Sequence, residues 1–268
     1  MIELRQVSKS WDHGKSFAVR KINLKVEAGE VLALLGGSGC GKSTTIKMIN
    51  RLVEPSEGKI LLNGVDVSGQ DAVTVRRQIG YVFQGIGLFP HMTVAENVGV
   101  IPRIMGQPLA TYREKVHQLL ELVHLSPSEF ASRLPGQLSG GQKQRVGFAR
   151  ALAADSKVML LDEPFGALDP VTRDSLQAEF RSLQQQLQFT AVMVTHDMAE
   201  ALILADQIAV MQAGRLIRVG TPSELLRDPG DDYVAALLET PRRHVRLLQD
   251  LEAGHCQDNS LDRSGENE

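Results

Sequence analysis

Leu138-Ser139-Gly140-Gly141-Gln142 decides how this chain reads, because of what stands on either side of it. Upstream, Gly36-Gly37-Ser38-Gly39-Cys40-Gly41-Lys42-Ser43 fits the phosphate-binding pattern G-x-x-x-x-G-K-[ST]. Downstream, Val158-Met159-Leu160-Leu161-Asp162-Glu163 is an apolar run ending in two carboxylates. Val31-Leu32-Ala33-Leu34-Leu35, just before the glycines, is apolar throughout, as expected of a strand covered on both faces. A helix-like stretch follows them, with Ile46, Ile49, Leu52 and Val53 on one side. Strand, glycine loop and helix in that order are what turn the pattern into a site.

Working outward, residues 2–7 and 18–26 alternate like strands, clearest at Ile22, Leu24 and Val26. From about 93 to 154 the period becomes helical. Thr93/Glu96, Thr111/Glu114 and Ser126/Glu129 each spell a capping box, with Pro127 at a first helical position. Val116, Leu119, Leu120 and Val123 form a stripe that reads as core packing. Strands are expected again at 158–161, 190–195, 207–211 and 216–219, with helices opening at Asp169-Pro170 and at Asp197, where Glu200 completes another box. The fold class is α/β, a mainly parallel sheet covered by helices, with the helical block 93–154 inserted as a subdomain. Residues 1–238 are expected to form the domain and 239–268 a polar, irregular tail.

The net charge of -3 gives no reason to expect a nucleic-acid surface. Cys40 sits in the glycine loop and Cys256 in the polar tail, so a disulfide is not expected and a reducing compartment fits. The start shows no signal-peptide pattern. No apolar run approaches the ~20 residues that a membrane-spanning helix needs.

An LSGGQ between a phosphate loop and an acidic strand end makes the chain, over roughly residues 1–238, resemble the ATP-binding cassette (ABC) ATPases. These are P-loop NTPase motors of membrane transporters. The resemblance implies an N-terminal antiparallel β region beside the parallel core. It also implies a head-to-tail homodimer with two ATP molecules sandwiched between the subunits, and a separate integral-membrane permease. In an importer, an extracytoplasmic solute-binding protein would deliver the cargo. The chain itself would then lie peripherally on the cytoplasmic face of the plasma membrane.

Glycines at 36, 39 and 41 let backbone N–H groups curl round phosphates, and the following helix N-terminus adds its positive dipole end. Gly37, Ser38, Cys40 and Thr44 complete the expected ATP-binding segment. Lys42 should reach the β- and γ-phosphates, and Ser43 should offer its hydroxyl to Mg²⁺. On a strand, Asp162 and Glu163 would point to opposite faces and so serve different ends. By resemblance Asp162 serves Mg²⁺ and Glu163 polarises the attacking water. Ser139 is a good N-cap and Gln142 completes its box. Gly140 and Gly141 nevertheless lower helix propensity by ~1 kcal/mol each. Unneeded for folding, they make sense if a phosphate of the other subunit's ATP approaches there. Further positions match the family singly. Trp11 stands where an aromatic residue stacks on adenine, and Gln84 where a glutamine contacts Mg²⁺ and water. Asp169 matches the loop that crosses the dimer interface, and His196 the histidine that senses the γ-phosphate.

The surrounding residues are similar to the osmoprotectant branch, which imports glycine betaine, choline, carnitine or proline-type solutes. They are Lys47-Met48-Ile49-Asn50-Arg51-Leu52-Val53-Glu54-Pro55, Ile86-Gly87-Leu88-Phe89-Pro90-His91-Met92-Thr93-Val94 and Gly166-Ala167-Leu168-Asp169-Pro170-Val171-Thr172-Arg173. The alternative is a polar amino-acid importer with the same motor. Members of the osmoprotectant branch often carry paired CBS modules, and the thirty or so residues after Glu239 are too few for them. Soluble two-cassette proteins and P-loop kinases are disfavoured, the first by the single cassette and the second by LSGGQ.

Overall fold

The computed structural model describes residues 1–85 and 87–261, leaving aside the side chains of 109, 244, 248 and 252–261. Ten strands and ten α-helices are described. Strands β1 (Ile2–Lys9), β2 (Val19–Val26), β4 (Glu57–Leu62) and β5 (Val65–Asp66) form a four-stranded antiparallel sheet ordered β2-β1-β4-β5. The second sheet holds β3 (Val31–Leu35), β6 (Ile79–Val82), β7 (Val158–Asp162), β8 (Thr190–Thr195), β9 (Gln207–Gln212) and β10 (Arg215–Gly220). Its order is β10-β9-β3-β8-β7-β6, parallel except for the β9–β10 hairpin.

The central strands are buried on both sides because alternate residues serve two different cores. Val31, Ala33, Leu35, Met159, Leu161, Ala191 and Met193 face one apolar cluster. Leu32, Leu34, Val158, Leu160, Val192 and Val194 face the other. The first cluster is closed by helices α3 (Val94–Ile104), α4 (Leu109–Leu122), α6 (Gly140–Leu152), α7 (Pro170–Leu187) and α8 (Met198–Leu204), with Phe148, Phe165, Phe180 and Phe189 stacked at centroid distances of 5.8–6.1 Å. The second is closed by the antiparallel sheet and by α1 (Lys42–Ile49). The short helices α2 (Ala72–Arg77), α5 (Pro127–Phe130) and α9 (Pro222–Arg227) and the long α10 (Asp232–Leu261) are the other helices of the described residues. No helix among the described residues is long and apolar enough to cross a membrane.

Several expectations shift. Helix α1 stops at Ile49, so Leu52 and Val53 lie beyond it and Leu52 is exposed. The Thr93/Glu96 box forms as read, but α4 begins at Leu109, which puts Thr111 inside the helix instead of at its cap. Ser126 stands at the α5 cap without a capping bond. Asp197 caps α8 through the N–H groups of Ala199 and Glu200, while the Glu200 carboxylate turns inward to Gln177 at 3.0 Å. The expected boundary at Leu238 falls inside α10, which continues through Pro241 where an irregular tail was expected. Leu, Ala, Arg, Glu and Gln dominate 237–253, and their helix propensity outweighs one proline at that point. The last polar residues, 262–268, lie outside the described residues.

One buried side chain ties a loop to this frame. Asn97 of α3 is fully buried; its Oδ1 accepts the Phe89 N–H at 2.8 Å. Its Nδ2 faces the carbonyls of Phe89, Met92 and Thr93 at 2.9–3.1 Å. Replacing it by alanine takes the partner from a part-buried N–H and from several part-buried carbonyls, at a cost of about 1–3 kcal/mol. Asn97→Ala should therefore lower the urea midpoint and raise amide exchange at Phe89. An unchanged midpoint would show that water replaces the amide at no cost.

Candidate functional site

The six residues from Gly36 to Gly41 join β3 to α1, and their own surroundings explain two of the glycines. Gly36 has φ 152°, and a Cβ there would sit 2.2 Å from the Met211 carbonyl oxygen. Gly41 has φ 107°, and its Cβ would lie 2.4 Å from the Ala18 carbonyl oxygen. Any side chain at either position collides with fixed backbone. Gly39, at φ 75°, meets nothing within 4 Å, so its glycine serves conformation and open space. Gly41 also caps α1 without any side-chain bond, which leaves the first-turn N–H groups free for an anion.

Lys42 is buried, with Nζ donating to the Gly36 and Gly37 carbonyls at 2.6 and 2.9 Å. Lys42 and Ser43 share a cleft of about 470 Å³ with Ala18, Ser38, Gly39, Gly41, Thr44, Gln84, Glu163 and His196. Four separate strand ends thus contribute to one space. Ser43 Oγ donates to Asp162 Oδ1 at 3.1 Å behind it. Burial pushes the Asp162 carboxyl above its ordinary range, opposed by the Ser43 bond and by Lys47. Burial, and then Asp162 itself, push the Tyr81 phenol up in turn.

Glu163 corrects the sequence reading. It lies one residue past β7 in the left-handed region, at φ 46°, so strand alternation does not set its direction. Asp162 and Glu163 both turn toward the phosphate loop, Asp162 to Ser43 and Glu163 into the cleft. Strain of this kind persists only where neighbours fix it. Here the Glu163 N–H bonds the Val194 carbonyl at 3.0 Å. Gln84 Nε2 donates to Glu163 Oε2 at 3.2 Å, and His196 Nδ1 lies 3.5 Å from Oε1. A carboxylate held between an amide and an imidazole, open to a cleft, can orient water and accept its proton.

The donor set also suits a hard cation. Ser43 Oγ and Asp162 Oδ1 are oxygen donors beside Gln84, and Mg²⁺ takes few protein ligands and fills its shell with water and substrate phosphate. Among the described residues no cluster of three or more His, Cys, Asp or Glu could hold a metal alone, which is the same division of ligands.

Other candidates lie elsewhere. Ser139, Gly140, Gly141, Gln142 and Asp169 do not line the cleft. The Ser139/Gln142 box forms with both bonds, at 2.9 and 3.3 Å, and Asp169 caps α7 through the Thr172 N–H at 3.0 Å. Gly141 also has a packing reason of its own, which the sequence did not reveal: a Cβ there would stand 2.6 Å from Thr172 Cγ2, so that methyl would have to shift. Gly140 has only an ordinary 3.6 Å neighbour and stays exposed. Trp11 is 65% exposed with the Lys9 ammonium 4.4 Å from its ring centroid, available for stacking yet outside the cleft lining. Gly36, Gly37, Cys40 and Asp162 shape the site from behind instead of lining it. Local patterns could not find Ala18, a lining residue brought in by the antiparallel sheet, nor Arg150, which donates to the Gly87 carbonyl at 2.7 Å.

The family model described as "ABC transporter" matches residues 19–166. A choline transport ATP-binding protein of Bacillus subtilis is 51% identical over 252 residues, 94% of this chain and 66% of that protein. A glycine betaine uptake system ATP-binding protein of Escherichia coli is 45% identical over 248 residues, 92% of this chain and 80% of that protein. The chain therefore spans just under two thirds of the length of the first of these. A dimeric ATP-binding cassette solved after hydrolysis, bound to ADP and Pi, matches with a TM-score of 0.74 at 32% identity, covering 83% of this chain and 99% of that one.

The two signature glycines should separate experimentally. Gly140→Ala gains up to about 1 kcal/mol of helix propensity without a clash. Gly141→Ala collides with Thr172, and overpacking of this kind costs about 1–3 kcal/mol. Urea denaturation should show the first variant at or above wild-type stability and the second below it. Adding Thr172→Ser, which removes the colliding methyl, should recover the loss. Equal stability of the two single variants would sink the packing account.

Proposed function

This chain belongs to the ABC transporter family, and we propose that it is the ATP-binding and ATP-hydrolysing subunit of an importer for osmoprotectants such as glycine betaine, choline, carnitine or proline. The observation that carries the reading is the single cleft shared by Lys42, Ser43, Gln84, Glu163 and His196. Entering phosphates meet the free N–H groups of α1 and Lys42, whose ammonium leaves the Gly36 and Gly37 carbonyls for them. Mg²⁺, held by Ser43 with Asp162 behind and Gln84 beside, would supply charge neutralisation at the β- and γ-oxygens. Glu163 orients the attacking water and takes its proton, with Gln84 and His196 fixing the carboxylate.

Ser139, Gly140 and Asp169 are exposed and outside the cleft, which supports their use on a second copy, in a head-to-tail homodimer. A groove of about 400 Å³ beside Gln84, between Tyr81, Phe83, Phe89, Ile104 and Met105, suits a helix of an integral-membrane permease. The chain then works peripherally at the cytoplasmic face, and a solute-binding protein presents cargo on the other side. The cargo assignment rests on the names of the relatives, since no residue of the cleft would touch the solute. A polar amino-acid importer ATPase is the second reading.

Glu163→Gln should cut hydrolysis by about 10²-fold or more while ATP binding survives. With ATP it should run as a dimer in size-exclusion chromatography, and adding Ser139→Arg should return it to a monomer. Near wild-type turnover in the first variant would remove the catalytic assignment. A monomer in every case would remove the sandwich.

Uptake assays address the cargo. Cells with this chain should accumulate labelled betaine or choline over cells without it, and labelled polar amino acids should show no difference. Charged residues at His91, whose ring stands 6.1 Å from that of Phe89 in the groove, and at the next residue, Met92, should abolish that uptake while the isolated chain still hydrolyses ATP. Amino-acid uptake that follows the chain would favour the second reading, and uptake indifferent to His91 and Met92 would move the permease contact elsewhere.

A further inference from the structure

The phosphate loop touches a helix 196 positions away in sequence. The Gly37 N–H donates to the Tyr233 hydroxyl at 3.0 Å. Tyr233 stands in the first turn of α10, where Asp231 Oδ1 accepts its own N–H at 2.8 Å. Val234 and Leu238, both fully buried, anchor that turn, and the Tyr233 ring packs against the same apolar cluster. The helix start is thus fixed independently of the loop it touches.

The peptide unit that Tyr233 holds also holds Lys42. Its carbonyl is that of Gly36, which accepts Lys42 Nζ at 2.6 Å, and its N–H is that of Gly37. One rigid plane is therefore gripped from both ends, by a phenol on α10 and by the lysine expected to meet the phosphates. Gly36 needs φ 152°, and Gly37 has no Cβ to restrict its rotation. Without the phenol, this plane loses the partner that its N–H has among the described residues, and can turn. We propose that Tyr233 is a positioning residue for nucleotide phosphates, fixing the Gly36–Gly37 peptide and so coupling α10 to the phosphate loop. The proposal rests on the reading that the chain binds ATP.

Two effects oppose each other when the hydroxyl is removed. The Gly36 carbonyl becomes less polarised, which frees Lys42 slightly for the phosphates; such cooperativity changes one bond by only about 10–30%. Against it stands the whole Gly37 bond and the order it gives the loop, which corresponds to about a three- to tenfold change in affinity. Loss of order is the larger effect, so the hydroxyl strengthens phosphate binding.

The test uses the full chain and Tyr233→Phe, which keeps the ring and its packing. ATP and ADP should bind about three- to tenfold more weakly, with the KM for ATP rising more than kcat falls. Adenosine, which carries no phosphate, should keep its affinity, and the thermal midpoint without nucleotide should move by no more than about a few degrees. Wild-type ATP affinity in Tyr233→Phe, a loss confined to kcat, or an equal loss for adenosine would overturn the assignment while leaving the ATPase reading intact. A wild-type chain that binds no ATP would overturn both.

Discussion

Parallel hydrogen bonding between β3, β8, β7 and β6 is the constraint on which the site depends. The register pairs Leu35 with Thr195, Asp162 with Val194 and Val82 with Leu161, so these strands end along one edge. The glycine loop, Glu163, His196 and Gln84 each follow one of those ends within two residues. Backbone pairing thereby brings together groups that are up to 160 positions apart, before any ligand is present. The register is itself protected by burial. A slip of one residue would exchange the residues that fill the two cores, and both packings would fail together.

Much of this was legible because its signals are local. The apolar strands, the glycine pattern, the Thr93 and Ser139 boxes and the helical block all depend on residues within one window. The hairpin from β4 to β5 is legible too: Asn63-Gly64 between Leu62 and Val65 is a strong hairpin signal, and both turn residues have positive φ. What no window could supply is contact between distant segments. The Met211 and Ala18 carbonyls against Gly36 and Gly41, Arg150 on Gly87, and Tyr233 on Gly37 belong to that class. Glu163 failed for another reason. Strand alternation ends at Asp162, and Glu163 stands one residue past the point where the chain leaves the strand.

The glycines show why a motif can be right for an incomplete reason. A phosphate loop invites the view that its glycines make room for the ligand. Gly36 and Gly41 make room for the protein's own backbone, and the loop is shaped before anything binds. Preorganisation of this kind removes an ordering cost that a floppy loop would meet at binding. Gly141 follows the same logic at the other motif, where the missing side chain lets α6 and α7 touch.

The segment 87–92 is tied at two places to one helical body, at Gly87 by Arg150 of α6 and at Phe89 and Met92 by Asn97 of α3. A free surface loop fluctuates within nanoseconds to microseconds. A strap stitched to two packed helices has no such independent motion, and it travels only when those helices travel. Its clock is then that of collective domain displacement, microseconds to milliseconds. Whatever rests on the strap feels slow, whole-body movement in place of fast local noise.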